Sequence, residues 1–268
     1  MAGQVTLKFL TFNIRGPWDR GPNSWENRRA GVAALIRQEN PHVFGTQEGV
    51  QWQLDEMAAA LPEWDRIGVG RDDGHLLGEQ CAIWFRRDTF RLVESQTFWL
   101  SESPDVSASM SWQTACTRIC TSAHLQGAFG WFRVYNCHTD HMSAEARLKG
   151  VALILERMKM YREPSVLMGD FNAGETSKPI QLAAARGLKD TFRSINPTAQ
   201  DVATYTDFNP LKTSGEKIDY IFCDDSFRVE DAQIVRTTFN QRQPSDHFPV
   251  SATLGLASSI RFPSIGKP

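Results

Sequence analysis

The 268-residue chain reads as an α/β protein in which two sheets pack face to face with helices outside. Three observations carry that reading. Short apolar runs with strand character alternate with segments of helical periodicity. The middle of the chain is a succession of strand-like runs separated by loops rich in Gly, Ser, Asp and Pro. Helical segments flank that succession, which suits sheets that bury one face on each other and the other under helices.

Taken in order, VTLKFLTFNI at the start reads as a strand. Ser24 is placed to cap a helix through WENRRAGVAALIRQ, with Val32, Leu35 and Ile36 on its inner face. Pro41 follows, then HVFGTQE as a short buried strand. A second helix through VQWQLDEMAAAL stops near Pro62. Strands are expected at 64–70, 80–86, 90–99, 112–125 and 131–138, with RDDGHLLG and SESPDVSAS as loops. The clearest helix spans 143–162, where Leu148, Val151, Ala152, Leu155 and Met158 recur at helical spacing. SVLM is a short buried strand running into GDFN, and later strands are expected at 218–222, 228–235 and 248–254. ASSIRFPSIGKP reads as a loose terminus. The expected organisation is one domain over 1–257 with a tail at 258–268.

Lys and Arg number 29 against 31 Asp and Glu, a net charge of −2, which is not the footprint of a protein that lives on duplex DNA. One local basic groove remains compatible with it. The first residues lack a cationic leader and a sustained apolar run, so no secretory signal is expected. No apolar run reaches the roughly 20 residues of a membrane-spanning helix. Five cysteines, most of them in apolar strand-like runs, suggest buried free thiols in a reducing, cytoplasmic setting. Cys116 and Cys120 lack the second pair that a structural zinc site needs. Of the tryptophans, Trp18 and Trp52 follow candidate site segments and could stack on a base, whereas core packing suits the others. His42 and His75 read as structural and solvated, respectively.

Polar residues stand at the ends of apolar runs, where α/β folds assemble active sites. They are Asn13 in TFNIR, Glu48 in GTQE, His138 in YNCHTDH, Asp170 and Asn172 in MGDFN, and Asp246 with His247 in PSDHFPV. Asp219 lies inside the apolar run KIDYIF, where an unpartnered carboxylate is costly. Carboxylates with Asn carbonyls make hard-ligand sites suited to Mg²⁺ or Mn²⁺. Such an ion polarises a phosphoryl oxygen and helps activate water. Asp219 and His247 would form an orienter and base pair. His138 and Arg118 could supply positive charge to phosphoryl oxygens.

In order, FNIR, QE, GE, R-I-C, NCHTDH, GDFN, IDYIF and SDHFPV resemble the signature of the endonuclease/exonuclease/phosphatase superfamily over about residues 5–255. The resemblance implies a DNase I-like four-layer α/β/β/α sandwich of two mixed, mainly antiparallel sheets. It implies Glu48 as the main metal ligand, with Asn13 beside it and Asp246 as a further carboxylate of the metal site. Asp170 and Asn172 match the pair that positions the attacking water and the phosphate. His247 matches the catalytic histidine paired with Asp219, and His138 the second histidine, with Glu79 as its carboxylate partner. Arg118 matches a phosphate-contacting arginine, and Arg15 stands where DNase I has arginine. The implied activity is divalent-metal-dependent hydrolysis of phosphate esters. Nucleic acid or nucleotide diesters come first by family frequency, single-stranded or small ones given the charge. A small-molecule or lipid phosphate ester is the enzymatic alternative, and a silent phosphate-binding module the non-enzymatic one. Asn136, His138, Asp140 and His141 also come close to the H-x-H-x-D-H motif of metallo-β-lactamase-type zinc hydrolases, but Asn136 replaces its first histidine.

Overall fold

The computed structural model describes residues 5–239 and 241–256. Two six-stranded sheets face each other. The first runs in the order β11 (Phe227–Ile234), β12 (Val250–Leu256), β1 (Thr6–Asn13), β2 (Val43–Val50), β4 (Glu79–Arg86), β3 (Trp64–Ile67). The second runs β5 (Arg91–Trp99), β6 (Ile119–Gly127), β7 (Gly130–His138), β8 (Ser165–Asp170), β10 (Asp219–Cys223), β9 (Lys189–Asp190). Each sheet has one parallel pair at its centre, β1 with β2 and β7 with β8, and its other pairings are antiparallel. Helices α1 (Trp25–Glu39) and α2 (Gln51–Ala60) cover the outer face of the first sheet. Helices α3 (Ala144–Met158) and α4 (Lys178–Ala185) cover that of the second. The short α5 (Thr191–Ile195) packs against β10 and β11.

Strand alternation sorts the apolar residues into layers. On β1, Leu7 and Phe9 point between the sheets, while Leu10 and Phe12 point at α1 and α2. Phe132 and Val134 of β7 and Val166 and Met168 of β8 meet Phe9 from the opposite sheet. Each such side chain contributes roughly 1.5–3 kcal/mol by leaving water.

The same period of two places the polar residues. Continuing the inward face of β1 past Leu7 and Phe9 leads to Thr11 and Asn13. On β7 the face runs Phe132, Val134, Asn136, His138, and on β8 it runs Val166, Met168, Asp170. On the antiparallel β10 it runs backwards from Cys223 through Ile221 to Asp219. One end of the inter-sheet layer is therefore polar. Its floor is a buried network in which Gln47 donates to Asn136 (2.6 Å) and Thr11 (3.1 Å), while Asn136 donates to the Thr46 and Ala82 carbonyls at 3.0 and 2.9 Å. Gly45 makes room for it, since a Cβ there would lie 2.7 Å from the Asn136 side chain.

Several boundaries differ from expectation. The strand expected from residue 112 begins at Ile119, because Thr114 and Ala115 are drawn off the sheet by hydrogen bonds to Asp140. The helix expected over 143–162 ends at Met158; its buried stripe is Ala146, Gly150, Val151, Ile154, Leu155 and Met158, and Leu148 and Ala152 are half-buried. Ser24 precedes α1 but makes no side-chain cap; its hydroxyl accepts from the Asn27 side chain. Helices α4 and α5 were not expected, being too short to show a period. The tail at 258–268 lies outside the described residues. No helix among the described residues is long and apolar enough to cross a membrane.

Candidate active site

The polar end of the sandwich opens into a cavity of about 370 Å³. One wall is made by strand ends. Asn13, His138 and Asp170 are the last residues of β1, β7 and β8, and Asp219 is the first of β10. Glu48 lies in β2 where the pairing with β4 shifts register, at φ 66°. That break lets the carboxylate leave the alternation and reach the cavity. Gly169 precedes Asp170 at φ 147°, and a Cβ there would lie 2.0 Å from the Cys137 carbonyl, so the close β7–β8 approach requires glycine.

Hydrogen bonds tie this wall across the two sheets. The Asn13 amide donates to Glu48 Oε1 (2.9 Å) and to Asp170 Oδ2 (3.0 Å), while its own oxygen accepts from the Arg15 N–H at 3.0 Å. Glu48 Oε2 accepts from the Gly16 N–H at 3.2 Å. Asp170 Oδ1 accepts from the Asn172 N–H at 2.9 Å. His247 Nδ1 donates to Asp219 Oδ2 at 2.9 Å, and its Nε2 faces Asp170 Oδ2 at 3.8 Å. The Asn172 amide donates to His138 Nε2 at 3.0 Å and to the Thr139 carbonyl at 3.1 Å.

These contacts set protonation. Burial alone would discharge His247, but the Asp219 carboxylate, with Asp170 and Asp246, pushes its pKa up to about 10 and keeps it imidazolium. Burial and the charge of Asp219 raise Asp170 to about 7. Burial, with the Arg118 charge next in size, holds His138 well below its usual range, so the ring is neutral and accepts from Asn172. Burial opposes the charge on Glu48, yet His247, Asn13 and Arg15 outweigh it and keep the carboxylate ionised. Burial raises Asp246.

The other wall is made by loops. Arg118 precedes β6, and its Nη2 donates to His141 Nδ1 at 2.9 Å. Arg71 comes from the β3–β4 loop and ion-pairs with Glu79, whose carboxyl burial pushes up to about 7. The resemblance gave Glu79 to His138; among the described residues its ion pair is with Arg71. Arg15 stands between Glu48 Oε2 (3.8 Å) and Asp246 Oδ2 (3.5 Å) and is held by Asp19 at 2.8 Å. Trp18, 60% exposed, and Tyr205 complete the rim; Trp52, also exposed, faces a neighbouring hollow.

Arg15, Glu48, Glu79, Arg118, His138, Asp170, Asn172, Asp246 and His247 thus line one cavity, with Asn13 and Asp219 directly behind it. Two residues of importance were not foreseen. Arg28 is buried in α1 and donates to the carbonyls of Ile14 (2.7 Å) and Pro244 (2.9 Å), and also to those of Arg15 and Gly16, tying two site loops together. The signal was available, because Arg28 falls on the same helix face as Trp25 and Val32. Ser245 donates from its hydroxyl to the Asn13 carbonyl at 2.6 Å. The zinc-like motif is split by the fold. Asn136 is in the buried floor, and Asp140 accepts from Thr114, Ala115, Met142 and Ser143 as a loop clamp.

The donor chemistry fits a hard divalent cation. Ligand atoms of Glu48, His138 and Asp170 lie within 4.8 Å of one another, and so do those of Asp170, Asp219 and His247. Asp219 Oδ1 is buried without a partner. Arg15 now neutralises Glu48 and Asp246, the place a cation would take. The oxygen of Asn13 faces Arg15, so its service as a ligand would require the amide to turn.

The family model for the endonuclease/exonuclease/phosphatase family matches residues 10–247. A protein of that family from Bacteroides thetaiotaomicron is 34% identical, with a TM-score of 0.89 over 95% of this chain and 99% of its own. A mannosyl-6-phosphatase of the same organism is also 34% identical, with a TM-score of 0.86 over 92% and 99%. The human Nocturnin catalytic domain, 17% identical with a TM-score of 0.74 over 94% of each chain, shares the fold. No match is found among the curated proteins. The strand-end wall, the two mixed sheets and these likenesses agree: the chain belongs to the endonuclease/exonuclease/phosphatase family and is a phosphoric ester hydrolase.

Proposed function

We propose that the chain is a Mg²⁺- or Mn²⁺-dependent phosphatase of small phosphate monoesters, sugar phosphates foremost. The observation that carries this reading is the cavity. At about 370 Å³ it is the size of a small-ligand site, with a carboxylate–histidine wall facing a wall of arginines. The 34% identical mannosyl-6-phosphatase supports it, and the net charge of −2 offers little to a long polyanion.

In this reading Glu48, Asp246 and Asp170 hold the cation. A bound divalent ion would lend positive charge to the phosphoryl and leaving oxygens. The Asp170 carboxylate takes the proton of the attacking water, and Asn172 fixes that carboxylate through its backbone N–H. The water oxygen forms the new bond to phosphorus, the bond to the ester oxygen breaks, and that oxygen leaves as the alcohol with a proton from solvent. His247 stays charged and stabilises the anionic transition state, with Asp219 holding its ring. The proton-accepting role thus moves from His247 to Asp170, because an imidazolium at neutral pH cannot act as base.

Inorganic phosphate release from mannosyl 6-phosphate and other hexose phosphates should exceed turnover of single-stranded DNA, RNA and dinucleotides. It should vanish in EDTA and return with Mg²⁺ or Mn²⁺. Faster cleavage of nucleic acid than of any monoester, or full activity in a chelated preparation, would overturn the reading.

A further inference from the structure

The arginine wall carries an inference that rests on the phosphatase reading and sharpens it. Arg118 is only 6% exposed, yet its Nε and Nη1 have no hydrogen-bond acceptor, the Asp140 carboxylate standing 4.0 Å from Nε. Arg71, whose side chain is 16% exposed, likewise has a buried Nε without a hydrogen-bond acceptor, 3.7 Å from the Asp72 carboxylate. Both guanidinium groups line the main cavity, and both line a void of about 10 Å³ beneath it, beside Glu79 and His138. Buried cationic N–H groups without acceptors are costly, by about 1–3 kcal/mol or more each. A phosphate in the cavity that both residues line brings acceptors to this wall.

Arg71 is built into place. The Trp99 indole donates to the Arg71 carbonyl at 2.7 Å, and Thr117, next to Arg118, donates to Asp72 at 2.5 Å. Asp73 accepts from the N–H groups of His75 (2.7 Å), Leu76 (3.3 Å) and Leu77 (3.0 Å), closing the loop on itself. The loop therefore docks on the segment that carries Arg118.

We propose that Arg71 and Arg118 together form a two-guanidinium subsite for the non-bridging oxygens of a dianionic terminal phosphate, and that Arg71 makes the enzyme select monoesters over diesters. A phosphate monoester carries close to two negative charges at neutral pH and three terminal oxygens. A diester carries one charge and two such oxygens. Arg118 alone answers the single charge; the second guanidinium has an acceptor only when the terminal oxygen is free. Glu79 offsets part of the Arg71 charge and holds its Nη1, leaving the fork aimed by one fixed edge.

The test compares a monoester with the methyl diester of the same alcohol. In Arg71→Met, the ratio of kcat/KM for monoester over diester should fall about 10- to 100-fold, the range for a hydrogen bond to a charged group. The Arg71→Met/Glu79→Gln double variant removes both members of the ion pair and should show the same fall without an unpaired buried carboxyl. Calorimetric binding of inorganic phosphate at pH 8 should weaken in both variants, while that of dimethyl phosphate changes less. A wild-type ratio favouring the monoester that survives unchanged in both variants would overturn the role of Arg71 and leave the phosphatase reading standing. A wild-type enzyme that prefers the diester would overturn both.

Discussion

The two walls of the cavity are built on different principles. The strand-end wall is tied to itself: Asn13 bonds Glu48 and, across the sheets, Asp170 at 2.9 and 3.0 Å, and His247 bonds Asp219 at 2.9 Å with its other nitrogen 3.8 Å from Asp170. The loop wall is open: Arg71 and Arg118 present buried donors with no acceptor. Rigid strands suit the groups whose distances decide the chemical step, and loops suit the groups that meet a variable ligand. The comparison separates turnover from selectivity, and each can be broken alone.

The largest effect should come from the strand-end wall. His247→Ala should lower turnover by roughly 10²–10⁴-fold. Asp219→Asn should keep the fold and damage the same step, since it leaves the imidazolium without its carboxylate. The double variant should be scarcely worse than the poorer single one, as expected of residues acting as a unit. Losses that multiply in the double variant would show that the two work independently.

A smaller effect should follow from the support behind that wall. Arg28 touches no substrate atom in this reading, yet it ties the loop after β1 to the loop before His247. Arg28→Met should reduce kcat about 10- to 100-fold, with KM for a monoester little altered, in line with the loss of an outer support. Arg28→Lys should not rescue it, because an ammonium cannot span the five carbonyls, that of Asn23 included, to which the guanidinium donates. A lowered melting temperature with unchanged kcat would reduce Arg28 to a purely structural role.

The smallest effect is thermal. Asp170 is raised to about 7 and His247 to about 10, each above its unfolded value. Both contributions are fully present below the respective unfolded pKa and are lost as pH rises through the folded one. The melting temperature of the metal-free protein should therefore fall in two steps, between about pH 4 and 7 and between about pH 6.5 and 10, at roughly 2–4 °C per kcal/mol. Mg²⁺ or Mn²⁺ should flatten the lower step by taking the place of the Asp170 proton. Asp219→Asn should remove the upper one. A melting curve that rises across this range would contradict the assigned protonation states.

Much of the strand-end wall was legible in the chain. A period of two that runs from Phe132 and Val134 to Asn136 and His138, or from Val166 and Met168 to Asp170, marks the point where a buried face turns polar. Asp219 could be singled out because a carboxylate inside an apolar run demands a partner. Glu48 was found as a strand-end residue, but its left-handed backbone and the register shift that aims it were not visible. The loop wall was only half legible. Arg118 and Glu79 entered through motifs, and the ion pair of Glu79 with Arg71 was not visible. Arg71, in a stretch whose Gly and Asp residues say only that the chain turns, could not be chosen at all.

The sequence by itself determined which faces are buried, which ends of the strands are polar and which chemistry those residue types can perform. Local periodicity and residue cost suffice for that. Only the tertiary structure decided that the ends of β1 and β2 meet those of β7 and β8 across the sandwich, so that Asn13 bridges Glu48 and Asp170. It also decided that His247 is charged while His138 is neutral. Both histidines stand at the edge of an apolar run, His138 after one and His247 before one, and nothing in the sequence tells their charge states apart. Burial works against the charge on both rings; for His247 the Asp219 carboxylate overcomes it, whereas for His138 the Arg118 charge adds to it, and all of this is set by residues brought together only by the fold.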